Sequence, residues 1–186
     1  MTAPLLMTRL LTSRLVLDQP TEADIPDVLD ACQDAETRAW VPLPMPYTRE
    51  SAEFFVRSYC PHGLASHRYT VWALHRTTGG RMLGALEVRR DDRAGSASLG
   101  CWSGPWARGR GYMREALVAV TKHALDPAGL GFEQLNWEYV PGNEPSRRLA
   151  EAAGFSFAQG IRSVVELHGE RREARVGTLR RDDVGL

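Results

Sequence analysis

The sequence has few of the features that mark a secreted or membrane-spanning protein. It contains three cysteines, Cys32, Cys60 and Cys101, with no close spacing, whereas a disulfide framework uses an even set. The N-terminus lacks a long apolar run behind a basic region, the pattern of a secretion signal. No stretch approaches the ~18 uninterrupted apolar residues of a membrane span. We therefore expect a cytoplasmic protein with no membrane partner.

An excess of charge of either sign is also lacking. Acidic and basic residues number 23 each, so the net charge is zero and gives no global electrostatic case for nucleic acid as a partner. The C-terminal region holds six arginines, Arg162, Arg171, Arg172, Arg175, Arg180 and Arg181. Acidic residues are interleaved with them, which indicates strand surface with cross-strand ion pairs.

The sequence gives no metal-binding pattern. Cys60, His62 and His67 lie close together, but their spacing matches no standard zinc motif. We therefore expect no metal site.

The 186 residues suit a single domain over 1–186. A short apolar strand at 15–17 is followed by Thr21 and Asp24 in capping-box spacing, and by apolar residues at helical intervals. Closely spaced prolines exclude a helix over 41–47, and Thr48 caps a second helix.

The rest of the chain predicts a mixed α/β sheet. The predicted strands are 69–75, 82–89, a third ending near Ser103, 134–140 and 155–159, with two arginine-rich strands at the C-terminus. An amphipathic helix separates the third of these strands from 134–140, so these two strands should be parallel. A short helix with Pro145 in its first turn should end at Gly154.

Residues 107–115, Ala-Arg-Gly-Arg-Gly-Tyr-Met-Arg-Glu, predict a phosphate cradle at the start of that amphipathic helix. Gly109 and Gly111 let the backbone turn sharply, so successive N–H groups can converge on one anion. The helix N-terminus adds unpaired amides and a positive dipole. Arg108 and Arg110 supply full charge suited to phosphate oxygens.

The residues that follow Gly111 exclude two common nucleotide motifs. A Walker loop continues with Lys and then Ser or Thr, but Tyr112 and Met113 stand here. A dinucleotide fingerprint has a third glycine where this chain has Arg114.

The pattern that does fit is Arg/Gln-x-x-Gly-x-Gly/Ala, matched by Arg108 and Gly111, although Met113 occupies its last position. Downstream, Asn143 and Ser146 precede Glu-Ala-Ala-Gly-Phe at 151–155. With weaker similarity at 11–15 and 100–102, the chain resembles the GCN5-related N-acetyltransferase superfamily along nearly its whole length. The resemblance is to the branch that acetylates ribosomal-protein N-termini.

This resemblance implies a fold in which a central pair of parallel strands splays apart between flanking helices, and an acetyl-CoA-dependent transfer to a primary amine in a ternary complex. It implies that acetyl-CoA, as co-substrate, contacts the strand edge, the cradle and the next helix. The residues concerned are Cys101, Trp102, Ser103, Arg108, Gly109, Arg110, Gly111, Tyr112, Met113, Asn143 and Ser146. The resemblance also implies a homodimer that forms through the C-terminal strands.

For catalysis, Ala150 stands where many relatives have a proton-donating tyrosine. The resemblance then implies Ser146 as the group that meets the sulfur. Glu138 and Glu87 are the candidate general bases, and we expect Glu138 to take this role. Cys101 has no base near it in the sequence and is interpreted as a buried filler.

The sequence leaves the acceptor open: a protein N-terminus or a small-molecule amine. The resemblance implies that the early loop shapes the acceptor pocket, which makes Trp40, Pro42 and Tyr47 candidate acceptor residues. A catalytically silent acyl-CoA-binding sensor is an alternative function, given the missing tyrosine and Met113. A nucleotide-binding switch is a weaker alternative, because magnesium ligands are absent from the motif.

Overall fold

The computed structural model describes residues 5, 7–159 and 162–185, which form one eight-stranded sheet with helices on both faces. The strands are β1 (Leu10–Leu11), β2 (Leu15–Asp18), β3 (Tyr69–Arg76), β4 (Gly84–Arg90), β5 (Ser96–Ser103), β6 (Gln134–Tyr139), β7 (Arg162–Leu167) and β8 (Glu170–Arg180). Their order across the sheet is β1-β2-β3-β4-β5-β6-β8-β7. Every neighbouring pair is antiparallel except β5 and β6, which are parallel. The predicted mixed α/β fold is therefore confirmed.

The described helices are α1 (Ile25–Gln33), α2 (Ala35–Trp40), α3 (Arg49–Phe54), α4 (Cys60–Ala65), α5 (Tyr112–Leu125) and α6 (Glu144–Ala152). A π-helical turn, Phe55–Tyr59, joins α3 to α4. The capping box predicted at Thr21 and Asp24 is present before α1, and the Thr48 side chain caps α3.

Alternating side chains of the central strands divide the core into two layers. Trp72 and Leu86 pack with Leu117 and Val120 of α5 in one buried cluster. Val71 and Ala85, which point to the opposite face, pack with Val28 of α1 and other residues of the early helices. Central strands are covered on both faces, which explains why β3 is an almost continuous buried run.

Most predicted elements are confirmed, but the strand predicted at 155–159 is wrong. Only Ser156 forms a bridge there, with Thr178 of β8. The reason is that Phe155 is buried in the core and Phe157 packs edge-on against Tyr139, so these side chains anchor the segment. The arginine-rich strands are β7 and β8, and they carry the expected cross-strand ion pair, Arg162 with Glu173, at 2.9 Å.

A partly buried ion pair connects the start of α1 to the sheet. Nε2 of His75 on β3 lies 2.7 Å from Oδ1 of Asp24, just before α1. The hydrogen bond to Asp24 raises the pKa of His75 above its ordinary value, against the effect of burial. Burial acts to raise the pKa of Asp24, but hydrogen bonds from His75 and Thr21 outweigh it and lower that pKa.

This pair predicts a pH-dependent stability. Because the folded pKa of His75 is raised, its stabilisation is complete below about 6.5, the pKa of an unfolded histidine, and is lost as the pH rises through the folded pKa. The free energy of unfolding of the wild type minus that of His75→Gln should therefore decrease on going from mildly acidic to alkaline pH. Urea denaturation at a series of pH values measures this difference in the free energy of unfolding. His62→Gln, at an exposed position, is the control for the loss of a histidine elsewhere in the fold. A flat or rising difference for His75→Gln would contradict the assignment.

Candidate active site

The parallel pair β5 and β6 separates halfway along its length. Pairing runs from Ser96 with Gln134 to Leu99 with Trp137 and then stops. Beyond that point Gly100–Ser103 of β5 stays paired to β4, and Glu138 and Tyr139 of β6 stay paired to β8. The two strands therefore present facing edges whose N–H and C=O groups have no strand partner across the gap.

A cleft of about 880 Å³ occupies this gap. All the cofactor residues predicted from the sequence line the cleft, except Arg110. Glu138, Glu87, Trp40 and Pro42 line it as well.

The cradle has the backbone conformation that the sequence predicts. Gly109 and Gly111 have φ angles of +71° and +75°, in the left-handed region that side-chain-bearing residues disfavour. A Cβ at Gly109 would meet nothing within 4 Å. Glycine is therefore favoured here by its positive φ angle and not by a lack of space for a side chain. The amides of Tyr112, Met113 and Arg114 open α5, where a helix has no internal acceptor for them. Met113 packs against the core.

Arg108 is held by acidic residues of the early helices. Its Nη2 donates to Oδ2 of Asp34 at 2.6 Å and to Oγ1 of Thr37 at 2.8 Å, and its Nη1 donates to Oε2 of Glu36 at 2.9 Å. Burial acts to raise the pKa of Asp34, but the hydrogen bonds from Arg108 and Thr37 hold it below its usual range. The guanidinium thus joins the cradle to α2, which leaves anion binding at this position to the backbone.

A second set of contacts fixes the other side of the cradle. Oε1 of Glu115 accepts hydrogen bonds from the Thr12 hydroxyl at 2.5 Å, the Ser13 hydroxyl at 3.1 Å and the Arg14 amide at 3.0 Å. Nε of Arg14 donates to Oε2 of Glu115 at 2.6 Å, and its Nη1 donates to the carbonyl of Arg110 at 3.1 Å.

The Arg14 guanidinium also lies 4.8 Å from the centre of the Tyr112 ring. Partial burial acts to raise the pKa of Glu115, but the hydrogen bonds from Thr12, Arg14 and Ser13 lower it. We call Thr12, Ser13, Arg14 and Glu115 the clamp.

On the unpaired edge of β5, successive side chains point to opposite faces. Cys101 packs against the α5 layer and Trp102 against the early-helix layer. Burial raises the pKa of the Cys101 thiol to about 12, so the thiol stays protonated, in keeping with its interpretation as a filler. Gly100, which precedes them on β5, is exposed, and a Cβ there would meet nothing within 4 Å.

The edge of β6 leads directly to α6, which the Asn143 side chain caps by accepting from the Ser146 amide at 3.2 Å. The Ser146 hydroxyl oxygen accepts a hydrogen bond from Nε1 of Trp137 at 3.0 Å. Since indole can only donate, this bond leaves the Ser146 hydroxyl hydrogen free to be donated into the cleft.

The two candidate bases, Glu87 and Glu138, lie on the same face of the sheet near the gap between β5 and β6, but their surroundings differ. Oε2 of Glu87 accepts from the Tyr59 hydroxyl at 2.7 Å and its Oε1 accepts from Nε of Arg89 at 2.9 Å. The Glu87 side chain is 20% exposed, whereas Glu138 is exposed to solvent. Glu87 lies opposite Gly100 in the β4–β5 register.

Of the three acceptor residues predicted from the sequence, Trp40 and Pro42 line the cleft, whereas Tyr47 is buried among the early helices and lines an adjoining cavity. Three features of the site were not predicted from the sequence. They are the clamp, the hydrogen bond from Trp137 to Ser146, and the hydrogen bonds from Tyr59 and Arg89 that hold Glu87. A period-two pattern that puts Glu87 and Arg89 on one strand face was the available signal for that support. No local signal joins Arg14 to Glu115, 101 residues away.

Two further observations concern the described residues alone. They contain no group of three or more His, Cys, Asp or Glu side chains placed to hold a metal ion. None of their helices combines the length and the apolar character needed to cross a bilayer.

Comparison with known proteins identifies the family. Residues 14–156 match the acetyltransferase (GNAT) domain family, and the chain belongs to that family. Its activity is the acetyl-CoA-dependent transfer of an acetyl group to an amine. No curated protein matches the chain in sequence.

Solved structures share the fold at low sequence identity. A Vibrio cholerae protein assigned as a ribosomal-protein-serine acetyltransferase has a TM-score of 0.81 at 22% identity, over 93% of this chain and 97% of that chain. RimL, a ribosomal L7/L12 alpha-N-protein acetyltransferase in complex with coenzyme A, has a TM-score of 0.77 at 16% identity, over 91% and 95%. RimJ from Mycobacterium smegmatis, in complex with CoA-disulfide, has a TM-score of 0.77 at 16% identity, over 92% and 84%.

The clamp predicts that coenzyme A binding depends on a residue far from the cradle in sequence. Arg14→Ala removes charge-assisted hydrogen bonds that set the position of the cradle backbone, so the Kd for coenzyme A should rise by about tenfold. Isothermal titration calorimetry measures it. Arg49→Ala, which removes an exposed arginine paired to Glu53 on α3, is the matched control and should leave the Kd unchanged. Equal Kd values for Arg14→Ala and wild type would show that the clamp has no role in binding.

Proposed function

We propose that the chain binds acetyl-CoA in the gap where β5 and β6 separate and acetylates a primary amine, either the α-amine of a protein N-terminus or a small-molecule amine. The observation that carries this proposal is that the splay, the cradle and Ser146 all line one cleft. The unpaired edges of β5 and β6 suit the two amide groups of pantetheine, and the cradle amides suit its diphosphate. The names of the ribosomal-protein acetyltransferases with this fold support a protein N-terminus.

The chemistry requires a neutral amine, an oriented thioester and a proton for the departing thiolate. An α-amine with a pKa near ~8 is about a tenth neutral at pH 7, whereas a lysine side chain near ~10.4 is almost entirely charged. A weak base therefore suffices for an α-amine. Holding the amine against the thioester in the cleft supplies the larger part of the rate.

Ser146 takes the role of proton donor in this proposal. Its oxygen is already occupied by the Trp137 indole, so its hydrogen is directed to another acceptor, which the leaving sulfur provides. Ala150 occupies the position of the proton-donating tyrosine of many relatives, so Ser146 takes over the role of that tyrosine. Nothing on the described residues favours the silent sensor.

Glu87 takes the role of base, acting directly or through a water molecule. Tyr59 and Arg89 fix its carboxylate at the wall of the cleft, and a fixed carboxylate orients an incoming amine. Glu138, the base selected from the sequence, lies on the same face but is exposed and remains the alternative.

The remaining expectations complete the proposal. We propose a single functional domain over 1–186, a cytoplasmic location and a homodimer through the C-terminal strands, with no nucleic-acid, membrane or metal partner. The balanced net charge supports the absence of a nucleic-acid partner.

Ser146→Ala tests the function and the proton donor together. A positioned acid contributes about 10²- to 10⁴-fold, so we expect kcat to fall by about 10²-fold and the KM for acetyl-CoA to change little. Release of free thiol from acetyl-CoA, followed with a panel of amines and peptides, measures both constants. Ser146→Thr, which keeps the hydroxyl, should retain most of the activity, and Ser66→Ala, at the C-cap of α4, is the control. Wild-type protein that releases no thiol with any amine would contradict the proposed function.

Glu87→Gln tests the base. Its kcat/KM should fall by about 10²-fold at pH 7. The loss should shrink by up to about tenfold as the pH rises above the ~8 of an α-amine, because Glu87 is then needed only for the proton lost on amide formation and not to neutralise the amine. Glu138→Gln is the matched variant and should change kcat/KM little. Tyr59→Phe, which keeps the carboxylate but removes one of its hydrogen bonds, should give a smaller loss than Glu87→Gln. A large loss in Glu138→Gln with none in Glu87→Gln would assign the base to Glu138 instead.

A further inference from the structure

A second cavity, of about 810 Å³, adjoins the donor cleft at the end where the acetyl group would lie. The two cavities share walls that include Glu87, Gly100 and Trp102. A molecule in the second cavity therefore reaches the reacting end of the cleft past Glu87.

This cavity is lined mainly by apolar side chains from the early loop and helices. Leu43 and the neighbouring prolines form one side, and Phe54 and Phe55 of the α3 region form another. The Phe55 ring packs against Trp102 at 6.3 Å between ring centres. Phe54 is 61% exposed, although it lies beside a cavity large enough to accept a ligand. Exposed apolar surface grouped around a cavity in this way marks a binding site.

The charged residues that line this cavity have an acidic excess. Two acidic residues, Glu87 and Glu50, and one basic residue, Arg89, line it. The Arg89 guanidinium is already paired with Glu87 at 2.8 Å and lies 4.4 Å from the centre of the Tyr69 ring. The acidic excess suits an ammonium group that enters the cavity before it loses its proton.

From the apolar walls and the carboxylate at their inner end, we propose that the acceptor is a primary amine with a large apolar or aromatic group next to it. The apolar group packs on Phe54 and Phe55, and the amine lies next to the carboxylate of Glu87. Such an amine is supplied either by a peptide whose first residue is large and apolar or by a free arylalkyl amine. This inference rests on the proposed function.

Glu87, Ser146 and solvent account for every proton that moves in the transfer. The amine nitrogen forms a bond to the acetyl carbonyl carbon as the carbon–sulfur bond breaks. The bound ammonium first releases one proton to solvent through Glu87, and the neutral amine passes a second proton to Glu87 as the amide bond forms. The departing thiolate receives the proton of Ser146, which is restored from solvent. The products are the N-acetylated amine and the free thiol of coenzyme A.

Two matched pairs of acceptors test the substrate class. Peptides that differ only in a first residue of Phe or Ser form one pair, and phenylethylamine and ethylamine form the other. We expect kcat/KM to be about tenfold or more higher for the apolar member of the pair that represents the true source. The pair with the larger value identifies the source as a protein N-terminus or a free amine.

Phe54→Ser tests the assigned wall. Because Phe54 is exposed, the change should leave folding intact, and a melting curve checks this. It should lower kcat/KM for the preferred apolar acceptor by about tenfold and leave the value for the small acceptor unchanged. Val164→Ser, which alters another exposed apolar residue outside both cavities, should change neither.

Three outcomes would overturn the inference. Equal values for apolar and small acceptors leave the proposed function standing and reject the substrate class. A loss in Phe54→Ser seen only with hexanoyl-CoA as donor, and not with acetyl-CoA and the apolar amine, assigns the cavity to a long acyl chain. No transfer to any amine despite coenzyme A binding rejects both this inference and the proposed function.

Discussion

The protein is organised around one interruption of hydrogen bonding inside its sheet, the separation of β5 from β6 after Leu99 and Trp137. Backbone groups in a sheet interior require partners, so this gap is suited to a ligand that carries amides of its own. Because the two strands are parallel, they end at the same edge of the sheet. The helix that follows each strand begins at that edge, which places the N-termini of α5 and α6 on either side of the gap.

Around this gap the backbone provides the anion-binding groups, and most side-chain charges hold the backbone in place. Arg108 is paired with Asp34 and Glu36, and Arg14 is paired with Glu115. The cradle is thus held on one side by α2 and on the other by the turn before β2. A backbone-based site does not depend on a particular residue at position 113, which accounts for a methionine whose side chain packs on the core.

The sequence predicts local features well because they depend on residues close together in the chain. The cap at Thr48, the left-handed glycines of the cradle and the parallel βαβ unit all follow from short patterns. The segment 155–159 was mispredicted because two phenylalanines at alternate positions resemble a strand, and only the tertiary structure shows them anchored in the core.

The supporting contacts of the site are harder to predict, for the same reason. Ser146 was found from its motif, but its indole partner lies on a neighbouring strand. Glu87 was found as a carboxylate on a strand, whereas the tyrosine that holds it lies on a π-helical turn 28 residues earlier. Long-range pairing of this kind depends on how the layers pack and leaves no local periodicity in the sequence.

Gly100 illustrates how such a scaffold can diversify. Its φ angle lies outside the left-handed region, and a Cβ there would touch no neighbour within 4 Å, so alanine at this position costs little folding free energy. The same position borders both the donor cleft and the adjoining cavity. A single side chain added here would narrow the passage between them without disturbing the core, so descendants of this protein can acquire different acceptor preferences by a mutation that selection for stability does not oppose.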